Sequence, residues 1–182
     1  MTDYSYALPT SGKRIILHYN GLFDFDGMYA AIIDWAKNYG FQWHEIDYKH
    51  KVPNPKGAEQ EWKWQLTKNV SDYISNEITI SVHAWEILEV EVDVDGKKKA
   101  LSNGRLYMWI EPKINFDWQK KFQSGSKFAQ WLGKWYQKLY DKDFSNAVDE
   151  HYYRTYNLHA IIKTYFDMQA KKYAYKGYLK EN

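Results

Sequence analysis

The sequence predicts an α+β fold, with an antiparallel sheet of about five strands, one early helix and two C-terminal helices packed on it. Three observations predict it. Apolar residues alternate with a period of two through most of residues 62–118, the repeat of strands. From Ser126 the repeat lengthens to that of a helix. Before both lies a short apolar run, then a helix-like stretch, then a second extended run. Strands followed by helices are the order of a sheet with its helices on one side.

Residues 1–12 read as a flexible N-terminal arm with a Pro-Thr-Ser-Gly turn. Lys13 to Tyr19 is a short strand that Asn20-Gly21 ends. Asp24 or Asp26 caps a helix over Gly27 to Asn38, whose Tyr29, Ile32, Ile33 and Trp35 fall mostly on one face. Gly40 suits the residue after a helix end. Phe41 to Val52 is a second strand. Pro53-Asn54-Pro55-Lys56-Gly57 is a loop, because two prolines remove backbone donors.

The clearest strands come next. Trp62, Trp64, Leu66 and Val70 occupy even positions, as do Ile78, Ile80, Val82 and Ala84. The same parity holds for Leu88, Val90, Val92 and Val94, and for Leu106, Met108, Ile110, Ile114, Phe116 and Trp118. Glu86 breaks the register, and a bulge near Trp85 would repair it and bend the strand. Asp95-Gly96 marks a hairpin. Phe128, Trp131, Leu132, Trp135 and Leu139 then form a helical stripe behind Ser126, a candidate N-cap. A second helix covers about Ser145 to Ala170. Ala147, His151, Arg154, Leu158, Ile161, Tyr165 and Met168 make one of its stripes, and Tyr152, Tyr156, His159 and Phe166 a neighbouring one. One domain therefore spans residues 13–170, followed by a basic, Tyr-rich tail, residues 171–182. The element order resembles the helix-grip arrangement of START-like lipid carriers. It departs in having one early helix rather than two, and fewer strands.

Composition narrows the class. The chain has 182 residues, enough for one domain. Its 9 Trp, 17 Tyr and 8 Phe outnumber its 13 Ile, 11 Leu and 7 Val. So many rings at a net charge of +2 argue against disorder. No apolar run is long enough for a membrane span, and no secretory signal is visible. Zero Cys excludes thiol catalysis and thiolate metal sites, and a cytoplasmic location is expected. The tail carries four Lys and one Glu, which leaves the body slightly acidic and unsuited to duplex DNA.

Several motifs invite chemistry. Phe23-Asp24-Phe25-Asp26-Gly27 resembles the first motif of haloacid-dehalogenase phosphatases, which implies a nucleophile at Asp24 and an acid at Asp26. That family needs a buried parallel strand directly before the motif and Thr where this chain has Met28, so helix capping is the preferred reading. His18, His44, His50, His83, His151 and His159 show no metal-ligand spacing. Ser124-Gly125-Ser126-Lys127 lacks the order of a phosphate loop and reads as a capping segment. No Gly-x-Ser-x-Gly elbow occurs. His151 with Arg154 and Glu150 is the least unfavourable acid–base cluster. The tail from Lys171 to Tyr178 interleaves bases and rings as single-strand binders do, although a solvated terminus is the simpler reading. No catalytic residue, cofactor or metal is assigned.

The odd face of the sheet carries the functional expectation. If even positions face the helices, then Trp85, Ile87, Tyr107 and Trp109 face the other way. Rings are enriched at interface centres, and an exposed patch of this kind is unusual on a monomer. The chain is thus expected to be a non-enzymatic binding or self-assembly module, with a protein partner or second copy on that face. A carrier of an apolar small molecule is the alternative, and a hydrolase or a single-strand binder follows. Gly21 to Gly27, Tyr48 to Glu61, Asp95 to Lys99 and Ser126-Lys127-Phe128 resemble small proteins of reduced-genome archaea. That resemblance implies no activity and no functional residues.

Overall fold

The computed structural model describes residues 5–7, 14–54, 57–94, 97–122 and 126–166. Its elements run β1 (Ser5–Ala7), β2 (Ile15–Phe23), α1 (Phe25–Asn38), β3 (Gln42–Asn54), β4 (Gly57–Asn69), β5 (Ile74–Val94), β6 (Lys97–Phe116), α2 (Lys127–Leu139) and α3 (Asp141–Lys163). The class is α+β as expected. The strands β3 to β6 form an antiparallel meander. Along its far side β6 pairs with both β1 and β2. The five expected strands are present, and β1, inside the expected arm, adds a three-residue sixth. Among the described residues no helix is long and apolar enough to cross a membrane.

Several boundaries differ from expectation. β2 runs on through Asn20-Gly21 to Phe23, because Gly21 pairs with Gly104 across the ladder and adopts φ 142° without a side chain to clash. β3 includes Pro53 and reaches Asn54, which pairs with Gly57. Pro55-Lys56 and Asp95-Gly96 lie outside the described residues, although Val94 pairs with Lys97 across the latter. Ser126 stands at the N-cap of α2 but makes no side-chain capping bond. α3 starts at Asp141 rather than Ser145, and Asp141 and Asp143 in its first turn suit the helix dipole. It stops at Lys163, where Thr164 turns its hydroxyl back onto the Ile161 carbonyl at 2.7 Å. Residues 167–182, the tail included, lie outside the described residues.

The bulge falls where the parity breaks. Pairing between β5 and β6 shifts between Trp85 and Leu88, and Glu86 takes φ 59°. Glycines flank it on both neighbours. A Cβ on Gly57 of β4 would lie 2.6 Å from the Glu86 carbonyl carbon, and one on Gly104 of β6 would lie 2.8 Å from the Trp85 oxygen. The extra residue reverses which side chains face the helices. Ile87 turns inward and packs on the core, whereas Leu88 and Val90, expected in the core, are exposed.

The core lies between one sheet face and two helices. Trp64, Ile80 and Met108 from the sheet meet Met28, Ile32 and Trp35 of α1 and Leu158 and Ile162 of α3. Burying each such side chain stabilises the fold by roughly 1.5–3 kcal/mol. Around Tyr73 a second cluster joins Ile74 and Ile114 to Tyr136 of α2 and Phe144 of α3. Three tryptophans that even parity and the helical stripe would place in the core do not lie there. Trp118 is partly exposed and donates its indole N–H to the Ser71 carbonyl at 2.9 Å. Trp131 and Trp135 of α2 stand 57% and 50% exposed, because α2 meets the body through its other side, where Tyr136 packs on Tyr73 and Phe144.

Candidate functional site: the sheet face opposite the helices

Residues paired across antiparallel strands share a face, so the register assembles the site row by row. One row joins Lys49, Glu61, His83, Tyr107 and His18 across β3, β4, β5, β6 and β2. The next joins Asp47, Lys63, Ser81, Trp109 and Ile16. On the other side Trp85 pairs with Arg105, which pairs with Asn20. These rows lie opposite the face that packs on α1 and α3.

The rings here lie against one another along and across the strands. His83 lies on Trp85 with centroids 3.8 Å apart, His18 on Tyr107 at 4.4 Å, and Tyr107 beside Trp109 at 5.1 Å. Arg105 sits over Trp85 and Arg14 over Trp109, at 5.8 and 5.5 Å. Each arginine also pairs with an acid, Arg105 with Glu86 and Arg14 with Glu111. A depression of about 370 Å³ opens between Trp85, Arg105, Tyr107 and His18. Trp85, Tyr107 and Trp109 are all partly exposed on this face. Ile87 is not among them, since the bulge has turned it to the core side.

Beside the rings lies an ionic cluster that spacing alone did not reveal. His83 Nε2 is 2.8 Å from Glu59 and 3.7 Å from Glu61. Lys51 Nζ reaches the same two carboxylates at 2.7 and 3.3 Å, and Lys49 reaches Glu61 at 3.5 Å. The hydrogen bond from Lys51, and then that from His83, hold the Glu59 carboxyl below its usual range. Lys51 is raised in turn, chiefly by Glu59. Glu59, Glu61 and His83 bring one ligand atom each within 4.8 Å of one another, a spacing a cation could use. Lys51 and Lys49 are already paired with these carboxylates, Lys49 also with Asp47 at 3.0 Å, so the cluster reads as a salt-bridge network. Glu59 and Glu61, two apart on a strand, signal one shared face; that His83 lies beside them follows only from the β4–β5 register.

The other sequence candidates are scattered. Asp24 accepts the Gly27 N–H at 2.9 Å as the N-cap of α1 and pairs with Lys99 at 2.6 Å. Asp26, in the first turn, is exposed and lines a groove of about 390 Å³ with Phe25, Tyr48, Gln60 and Trp62. His151 is fully buried and donates Nε2–H to the Glu77 carbonyl at 3.1 Å; burial lowers its pKa to about 4. Glu150 points to solvent and pairs with Arg154 while His151 is enclosed, so the three do not converge on one site.

The chain is thus an α+β protein whose sheet carries α1 and α3 on one face and an aromatic patch rimmed by arginines on the other. Comparison with known protein families and with curated proteins returned no match.

Proposed function

We propose that the protein is a non-enzymatic binding module that associates with a second copy through this open sheet face. One observation carries the reading. Trp85, Tyr107 and Trp109 remain partly exposed on a face that neither α1 nor α3 covers. The charges around them are of mixed sign: Arg14, Arg105 and Lys49 stand among Glu59, Glu61 and Glu111. A mixed face complements itself about a two-fold axis and does not favour a polyanion.

The carrier reading has less support, because the space between the sheet and α3 is filled by Leu158 and Ile162 against Ile80 and Met108. Light scattering over a concentration series tests the proposal. The wild type should pass from monomer to dimer, and Trp85→Ala with Trp109→Ala should hold it monomeric. A wild type that stays monomeric at every concentration refutes self-association.

A further inference from the structure

Helix α2 turns its apolar side away from the protein. Phe128, Trp131, Trp135 and Leu139 are 67%, 57%, 50% and 58% exposed. At about 100° per residue these four fall within an arc of about 80°. The body is met instead by the other side of the helix, where Gly133 is buried and Tyr136 packs on Tyr73. Lys127, Lys134 and Lys138 line one edge of the exposed stripe. Among the described residues none of the three forms an ion pair, and α2 itself carries no acid that could pair them. From Lys120 to Tyr140 the sequence holds no Asp or Glu.

We propose that α2 docks this protein onto a bilayer with anionic headgroups, lying in the plane of the interface. A short helix with Trp, Phe and Leu on one side and lysines beside them is the pattern of an in-plane membrane helix. With 13 residues it is about 20 Å long, too short to span a hydrocarbon core of about 30 Å. The unpaired lysines decide between occupants. Antiparallel contact between the stripes of two copies would bring six ammonium groups together with no acid on α2 to pair them, whereas an anionic surface neutralises them. This surface is separate from the open sheet face, so either proposal stands without the other.

Flotation of the full chain with vesicles tests it. The protein should float with phosphatidylcholine vesicles that contain phosphatidylserine, and not with phosphatidylcholine alone. Brominated acyl chains should quench its tryptophan fluorescence only in the anionic vesicles. Trp131→Glu with Trp135→Glu should abolish both signals while circular dichroism stays unchanged, since both side chains are exposed. Lys127→Gln, Lys134→Gln and Lys138→Gln together should weaken binding about a hundredfold, from about fivefold per lysine. No flotation with anionic vesicles overturns the proposal. Flotation that survives in the double glutamate variant also overturns it, as would occur if the basic tail carried binding. A dimer that this variant abolishes, with no lipid binding by the wild type, assigns the stripe to a second copy instead.

Discussion

Helices α1 and α2 have similar lengths and a comparable amphipathic repeat, yet they end in opposite situations. In α1 the apolar side is the buried one: Met28, Ile32, Trp35 and Ala36 are at most 3% exposed. In α2 the apolar side is the outer one. The difference lies in what each helix is joined to. α1 follows β2 directly and leads through Gly40 into β3, so both its ends are held by the sheet and its apolar side must meet it. α2 is tied at its far end to α3, and α3 already occupies the adjoining sheet surface with His151, Leu158 and Ile162. A periodic stripe therefore shows that a helix has an apolar side, and connectivity decides whether the protein's own core receives it.

Trp35→Ala removes a buried ring and its 2.9 Å hydrogen bond to Asn157, and should destabilise by about 3–5 kcal/mol. Trp131→Ala and Trp135→Ala should each change stability by no more than about 0.5 kcal/mol. Urea unfolding followed by circular dichroism measures all three. A Trp131→Ala loss as large as that of Trp35→Ala would mean the stripe is covered in solution.

α3, which takes the sheet surface that α2 lacks, supplies the next effect. His151 is buried as the neutral imidazole, chiefly through loss of solvent and secondarily through nearby Arg154, and its pKa falls from 6.5 to about 4. The unfolded chain therefore binds more protons than the folded one between those values. Stability must fall as pH drops from about 6.5 towards 4, by up to about 3 kcal/mol for this group. His159, lowered mainly by burial, adds to the same trend. Urea midpoints across that range, compared with those of His151→Gln, should show the variant losing part of the slope. An unchanged slope would show that His151 does not titrate as the buried group.

Much of this was legible in the sequence and some was not. Period-two alternation marks β4, β5 and β6, and Glu86 at an inward position marks the bulge. Sequence alone does not say how far the bulge carries its reversal. Leu88 and Val90 look like core residues by parity, and only the pairing shift between Trp85 and Leu88 moves them outward and brings Ile87 in. The aromatic patch was three-quarters legible for the same reason: Trp85, Tyr107 and Trp109 keep the predicted side. The neighbouring Glu59–His83 contact depends on β4–β5 register, which no local pattern encodes. For Trp131 and Trp135 the missing knowledge was topological, namely which helix reaches the sheet.

The bulge offers the third test. Gly104 lies against it, and a Cβ there would stand 2.6 Å from Ile87 Cδ1 and 2.8 Å from the Trp85 oxygen. A backbone oxygen on β5 yields only if the strand moves, so Gly104→Ala should destabilise by about 1–3 kcal/mol. Thermal unfolding reads this, and a neutral result would mean that β5 shifts freely at the bulge.

The two helices also differ at their first turns. Asp24 accepts the Gly27 N–H and thereby satisfies one of the donors that a helix start leaves open. Ser126 holds the same position before α2 and makes no such bond. Asp24→Ala should cost about 1 kcal/mol, and Ser126→Ala should stay within a few tenths. For a chain of this length about 1 kcal/mol corresponds to a fall of about 2–4 °C in Tm. Asp24 also pairs with Lys99, whose side chain is half exposed, so that pair contributes little. Lys99→Ala separates the two contributions: it should leave Tm nearly unchanged, and a drop equal to that of Asp24→Ala would assign the stabilisation to the ion pair instead of the cap.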